Sequence, residues 1–452
     1  MSVTDPVERV RALLPDPVDE LQVAALLESQ GVTDAVALDD HGAADVFELA
    51  EQVYARLAAE PTAEPEPEPP PERPRAWLDA GHGPLYLMPT TAYPAVFAVL
   101  GDAEALRALL FGTSTGWVWG AVTSWVAHRL AGAGAAARAL VVLGGLGTAA
   151  AALGAVLLAL LTGGGPGTVL FVAVLAAFQA AAGALLLHRA EGRLLLAALP
   201  AGVAGLVHLG SGYADALVVP VLLAGAATAV LALHGAWRTC RAAGPVGPGR
   251  VPPLGVLARG ALPGAAHAAA GAALLLHTDA RHVLGPLDLA IAVAPLALGM
   301  GVVEWRANRL FDRAGRLLRT TGRPERFRAA VWRLLLREYA TCLLALGSVA
   351  LVLMLVLRWS GALTAPGALL VDGHVVLGGA YFLGFVLVRT GGAALAPLLT
   401  SGVLLIDVAV VAVVGDAVPD VDVPVFLACG ALLSLLLLAA LHRSVGQVRH
   451  YR

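Results

Sequence analysis

The sequence predicts an all-α polytopic membrane protein of about twelve transmembrane helices, arranged as two parallel six-helix repeats behind a small soluble N-terminal helical module. Three observations carry this. The chain is 58% apolar and only 14% charged, against about a quarter charged in ordinary soluble domains. Residues 84–443 divide into twelve apolar segments, several near the roughly 20 residues that a bilayer span needs. The connections between them alternate between arginine-bearing and arginine-poor.

The alternation sets orientation. Arg73 and Arg75 precede segment one, Arg129 and Arg138 follow segment two, and Arg189 and Arg193 follow segment four. Arg238 to Arg259 follow segment six, Arg306 to Arg328 segment eight, Arg389 segment ten, and Arg443, Arg449 and Arg452 close the chain. The other connections carry acid: Asp102 and Glu104, Asp215, Asp279 and Asp288, then Asp416, Asp420 and Asp422. Arg107, Arg281 and Arg358 run against the pattern. Arginine concentrates on the cytoplasmic side, so both termini are expected there, in the cell membrane.

Taken in order, residues 1–60 form a cytoplasmic helical module. Asp19 to Ser29 and Ala44 to Leu57 each place an apolar stripe on one helical face. So short a module has little core of its own, and it is expected to lean on a cytoplasmic protein partner or on the membrane face of its own chain. Residues 61–83, Pro/Glu-rich over PTAEPEPEPPPERP, read as an extended tether. The first six-helix bundle spans 84–237, a cytoplasmic link 238–256 and the second bundle 257–443, with a tail at 444–452. The polar, acidic start predicts no signal peptide. Cys240, Cys342 and Cys429 lie in or near separate segments without metal-ligand spacing and read as buried small hydrophobes.

An internal match supports the repeat. Trp125-Val-Ala127-His-Arg129-Leu130 ends segment two, and Trp305-Arg-Ala307-Asn-Arg309-Leu310 ends segment eight. Six segments per half means that both halves run the same way across the membrane, around a cavity.

Twelve spans in two sixes, the link between them, and the stretch ANRLFDRAGRLLRTTGRPERFRAAVWRLLL from Ala307 to Leu336 resemble the multidrug/oligosaccharidyl-lipid/polysaccharide exporter superfamily, within it the polysaccharide and lipid-linked oligosaccharide flippases. The resemblance covers residues 84–443 and rests on organisation more than on motif. It implies a secondary transporter that exports or flips a polysaccharide or lipid-linked glycan by alternating access. One departure stands out. Lipid II flippases of the superfamily carry cations within the cavity, whereas nearly every arginine here lies at a segment end. The alternative is a non-transporting scaffold subunit of an envelope or glycan-synthesis complex; an integral membrane transferase is a third reading.

Candidate site residues follow from polar groups within apolar runs, which are expensive there. Asp407, deep in segment eleven and without a partner nearby in sequence, reads as an ion-coupling site or as a structural hydrogen bonder. His267 in segment seven is a second ion-coupling candidate. His208, Gln179, Trp117 and Trp119 are candidates to line the cavity. So are Tyr93 and Pro94 in segment one and Pro263 in segment seven, because interrupted helices at equivalent places of two halves point to a binding site. Arg306, Arg309, Arg313 and Arg316 recur on one face of an expected basic amphipathic helix, 306–328, with Leu310, Phe311, Leu317 and Leu318 turned to lipid on an anionic cytoplasmic leaflet. No Walker loop, dinucleotide fingerprint or zinc-protease motif occurs, so no enzyme activity, cofactor, metal or nucleic-acid partner is expected.

Cysteines introduced near Gly165, Ala280 and Pro419 should react with an impermeant thiol reagent added outside, while those near Gly192, Gly247 and Gly322 should not. Reversed labelling at any two of these sites discards the twelve-span reading.

Overall fold

The computed structural model describes residues 5–14, 17, 19–59, 81–131, 134–243, 251–321, 324–415 and 417–451, and these are all helix and connection, without a strand. The chain forms two compact units, residues 1–75 and 76–452.

Among its described residues the first unit has four helices where the sequence pattern marks two: α1 (Pro6–Leu13), α2 (Glu20–Ser29), α3 (Asp34–His41) and α4 (Val46–Ala59). Each of the first three is capped by a side chain of the residue before it. Asp5 accepts from the Val7 amide at 3.0 Å, Asp19 from Gln22 at 2.9 Å and Thr33 from Val36 at 3.4 Å. Val10, Val23, Leu27, Ala37, Leu49 and Val53 make a core within the unit. Phe47, expected on the inner stripe of α4, is exposed instead. Of the expected tether, residues 61–80 lie outside the described residues.

In the second unit, segment one is α5 (His82–Leu87), a 3-10 turn (Met88–Ala92) and α6 (Tyr93–Leu100). Segments two to six are α7 (Asp102–Ala131), α8 (Ala136–Thr162), α9 (Pro166–Leu187), α10 (Glu191–Gly210) and α11 (Val218–Ala242). Segment seven is α12 (Leu254–His282), and segment eight is the short α13 (Leu287–Ala290) with α14 (Ala294–Thr320). Segments nine to twelve are α15 (Pro324–Trp359), α16 (Ala365–Leu387), α17 (Leu395–Val414) and α18 (Asp422–Ser444). Backbone hydrogen bonds closed within each helix are what a bilayer demands of a spanning segment.

Among the described residues nine helices are long and apolar enough to cross a membrane, which makes the protein a multi-pass membrane protein. They are segments three to six and eight to twelve. Segment one is cut into short pieces, and segments two and seven are long but more polar. Exposed leucines on α8 (Leu153, Leu157, Leu160) and α17 (Leu398, Leu405) suit helices solvated by lipid.

Helix pairing follows one plan in both sets of six. Segment four packs on two, three and six; segment five on one and six; segment two on three. Segment ten packs on eight, nine and twelve; segment eleven on seven and twelve; segment eight on nine. Across the sets, two packs on seven and one on eight.

Two features differ from the sequence expectation. Segment one is broken, but α12 runs unbroken through Pro263. At the break in segment one the Thr90 hydroxyl donates to the Leu87 carbonyl at 2.7 Å and the Thr91 hydroxyl to the Met88 carbonyl at 2.8 Å, and Thr91 also reaches the Ala201 carbonyl of α10 at 3.2 Å. The expected amphipathic helix 306–328 is no separate element: 306–320 is the end of α14, and 324–328 the start of α15. Leu310 is fully buried, and Phe311, Leu317 and Leu318 pack on the core. An amphipathic stripe shows that one face seeks an apolar phase, and here that phase is the protein's own helices.

Close backbone approach joins the two sets. A Cβ on Gly83 of α5 would collide with the Leu298 carbonyl of α14. Gly83→Val should therefore lower stability by about 1–3 kcal/mol through overpacking. Gly120 of α7 faces open space, so Gly120→Ala should be neutral or stabilising by up to about 1 kcal/mol. Thermal melting in detergent reads both; equal behaviour of the two variants would mean that the α5–α14 contact does not tie the sets together.

Candidate functional site

Among the described residues, a network of polar side chains lies on the last turns of α12 and reaches three neighbouring helices. His277 Nδ1 lies 2.6 Å from Asp407 Oδ2 on α17. Asp279 Oδ1 lies 3.0 Å from His374 Nε2 on α16. His282 Nε2 lies 2.8 Å from Asp422 Oδ2 on α18. Positions 277, 279 and 282 point in different directions because successive helical residues turn by about 100°. Asp288 follows in α13, accepting from the Thr364 amide at 2.7 Å and hydroxyl at 2.6 Å, while Thr364 caps α16 through the Gly367 amide.

The hydrogen bonds decide where protons sit. Arg281, one turn after His277, reaches His277 Nε2 at 3.1 Å. A guanidinium only donates, so Nε2 is an acceptor and the proton of the neutral ring is on Nδ1, given to Asp407. The result is a chain, Arg281 to His277 to the Asp407 carboxylate. Asp407 is fully buried, and its Oδ1 has no partner among the described residues. His374 gives Nδ1 to the Leu370 carbonyl at 2.7 Å, so its Nε2 and Asp279 share one proton between them.

His277 also reaches an open cleft of about 530 Å3 between α7 and α12, walled by Phe111, Val118 and Leu276, with Arg107 and Ser114 as its polar groups. The two helices run antiparallel. They touch at one end through Trp125, Val126 and Leu130 against Leu257, Gly260 and Ala261, and the cleft lies toward the other end. The closed end is the arginine-bearing one. There His82 Nδ1 of segment one also meets Glu304 Oε2 of segment eight at 3.3 Å.

Asp407 therefore has the partner that its sequence neighbourhood lacks. His267 is not part of this network; its Nδ1 lies 3.3 Å from the Thr400 hydroxyl, two turns along α17 from Asp407. The expected cavity-lining residues are mostly packing groups. Tyr93 stacks edge-on with Phe171 at 5.7 Å beside Pro94, Trp119 donates to the Leu143 carbonyl at 2.7 Å, and His208 is buried against Tyr213. Gln179 is set against Gly116 with its Oε1 unpartnered among the described residues. Pro263 lies within continuous α12. Trp117 stacks on Tyr381 at 5.5 Å, and Tyr381 donates to Gly271 at 2.9 Å, tying segments two, ten and seven. Arg306, Arg309 and Arg313 turn inward on Glu338 of α15, and Arg316 continues their stripe.

Sequence reasoning passed over His277, His282, His374 and Glu338. A signal existed: Arg281 and Arg107 are two of the three arginines that break the charge alternation, and Arg107 lines the cleft while Arg281 holds His277, which reaches it.

Removing the acceptor leaves the His277 Nδ1–H donor unsatisfied, at a cost of about 1–3 kcal/mol. Asp407→Leu should cost this, while Asp407→Asn, which still accepts from His277, should cost clearly less. Melting of the purified protein checks it; a Leu variant as stable as the natural chain would mean that the His277–Asp407 contact holds nothing. The chain matches no known protein family, no curated protein and no solved structure.

Proposed function

We propose that this protein is a secondary transporter that works by alternating access, built as two parallel six-helix halves in the cell membrane with both termini cytoplasmic. The observation that carries the reading is the shared pairing plan. Each pairing cited for segments one to six recurs six segments later, and the contacts between halves, two with seven and one with eight, exchange under the same shift. That is the relation expected of parallel repeats about an axis along the membrane normal. Segments one, two and seven, the three outside the nine most apolar, all lie at this junction, where a water-filled path would relax the demand for hydrophobicity. With the arginine end inside, α7 and α12 are in contact toward the cytoplasm and cleft apart toward the exterior.

The His277–Asp407 pair supplies the coupling. A proton taken at His277 Nε2 displaces Arg281, and a proton taken at Asp407 Oδ1 cancels the charge that holds His277. The first change turns the contact into an ion pair and tightens α12 on α17, and the second loosens it, so a proton passing along the pair alters the hold of the two helices beside the cleft. The cargo is a polysaccharide or lipid-linked glycan moved outward, in line with the resemblance of the chain to glycan flippases. Apolar walls with Arg107, Ser114 and His277 suit an amphiphile of that kind. A scaffold reading has one observation in its favour: Leu21, Leu38 and Phe47 of the N-terminal unit are exposed and offer a partner surface.

Spin labels on a cysteine-free chain separate the two. One pair sits at Asp102 and Leu284, the other at Ala131 and Leu254. A transporter gives reciprocal populations, the first distance shortening as the second lengthens when pH is changed, and Asp407→Asn abolishes the pH response. A single unchanging distance at both ends would leave the scaffold.

A further inference from the structure

The arginine stripe of α14 forms a site with a charge it does not use. Glu338 of α15 is 1% exposed and sits among four guanidiniums: Arg306 at 3.1 Å, Arg313 at 2.6 Å, Arg337 at 3.4 Å and Arg309 at 4.0 Å. One carboxylate offset by four cations leaves a local surplus of three positive charges. The hydrogen-bond balance is as uneven. Four guanidiniums present about twenty N–H donors, and a carboxylate accepts about four. The Nε atoms of Arg306 and Arg309 are buried with no hydrogen-bond partner among the described residues. Arg306 and Arg309 are held over the Trp305 ring, 4.2 and 5.4 Å from its centre, which fixes their planes. The cluster opens outward, since the side chains of Arg337 and Arg309 remain 59% and 33% exposed.

We infer that Arg306, Arg309, Arg313 and Arg337 bind a phosphate-bearing anion, with Glu338 as the buried anchor that gathers them. A carboxylate alone would need one such partner; a tetrahedral, multiply charged oxyanion uses several guanidinium forks at once. The surface beside the site suits a lipid headgroup. Leu344, Leu351 and Leu355 follow Arg337 at seven, fourteen and eighteen residues, which keeps them on its face of α15, and all three are exposed. Acyl chains lying on that stripe would bring a phosphate to Arg337. The site stands apart from the α7–α12 cleft and does not depend on the transport reading.

The full-length protein is reconstituted in nanodiscs of phosphatidylcholine with or without phosphatidylglycerol, and retained lipids are counted by native mass spectrometry after mild delipidation. The comparison variants are Arg337→Gln, whose exposed side chain leaves the fold undisturbed, and Arg309→Gln/Arg337→Gln, which leaves Arg306 and Arg313 on Glu338. The natural chain should retain phosphatidylglycerol in preference to phosphatidylcholine, and the double variant should bind it roughly tenfold more weakly, as expected for losing charge-assisted bonds. In a second arm, inorganic pyrophosphate is added to the protein in phosphatidylcholine alone. A rise in melting temperature that the variants abolish assigns the site to a soluble phosphate compound; retention of the anionic lipid without such a rise assigns it to a headgroup. Variants that match the natural chain in both arms overturn the inference.

Discussion

A charge inside an apolar medium is tolerated when a partner of suitable chemistry stands within hydrogen-bond reach, and the second half of this protein is organised by that demand. Helix α12 is the clearest case. Its final turns carry two histidines, an aspartate and an arginine, and each is answered from a different helix or from the turn before. The contacts pin α12 to α16, α17 and α18 at one end, while alanine-rich packing serves for the rest of its length. Because His277 is shared between Arg281 and Asp407, the tie to α17 is also the one that a proton can alter.

The two halves reach the same pairing plan with different side chains. The core of the second half is built on large groups, Phe327, Phe382, Phe426 and Leu335, around the largely buried α16. The first half packs chiefly through alanine, with Ala127, Ala181, Ala182, Ala197, Ala232 and Leu185 in its main cluster. Between helices in lipid there is little hydrophobic driving force, so close approach of small residues and interlocking of large ones are both workable. The broken segment one and the continuous segment seven show the same latitude. Thr90 and Thr91 meet carbonyls at the break in one, and an unbroken α12 provides the rigid rod on which the polar network is mounted.

At the arginine end the constraint is inverted. Glu338 is the isolated charge and the arginines are in excess, so the buried carboxylate is over-satisfied and the surplus faces outward. This arrangement requires α14 and α15 to run well beyond the bilayer: at about 1.5 Å per residue, the 36 residues of α15 reach far past a core of about 30 Å. The Trp305 and Arg309 positions of the internal match therefore belong to a projecting helical hairpin in the second half.

Much of this was legible in the sequence alone. Composition and apolar run length determined an all-helical membrane protein, because continuous apolar runs approaching 20 residues fit helical spans and not the shorter, alternating strands of a barrel, and the arginine alternation marked which segment ends belong together. The depth of Asp407 in an apolar run marked it as a residue needing a reason. Tertiary structure alone decided what that reason is. His277 is 130 residues away in the chain and Glu338 is 25 residues from Arg313, and no periodicity carries a long-range partner. The same holds for the arginine stripe: its apolar face was evident, but an amphipathic helix satisfies equally a lipid surface or a neighbouring helix, and only the packing of α14 on α15 and the core chose between them.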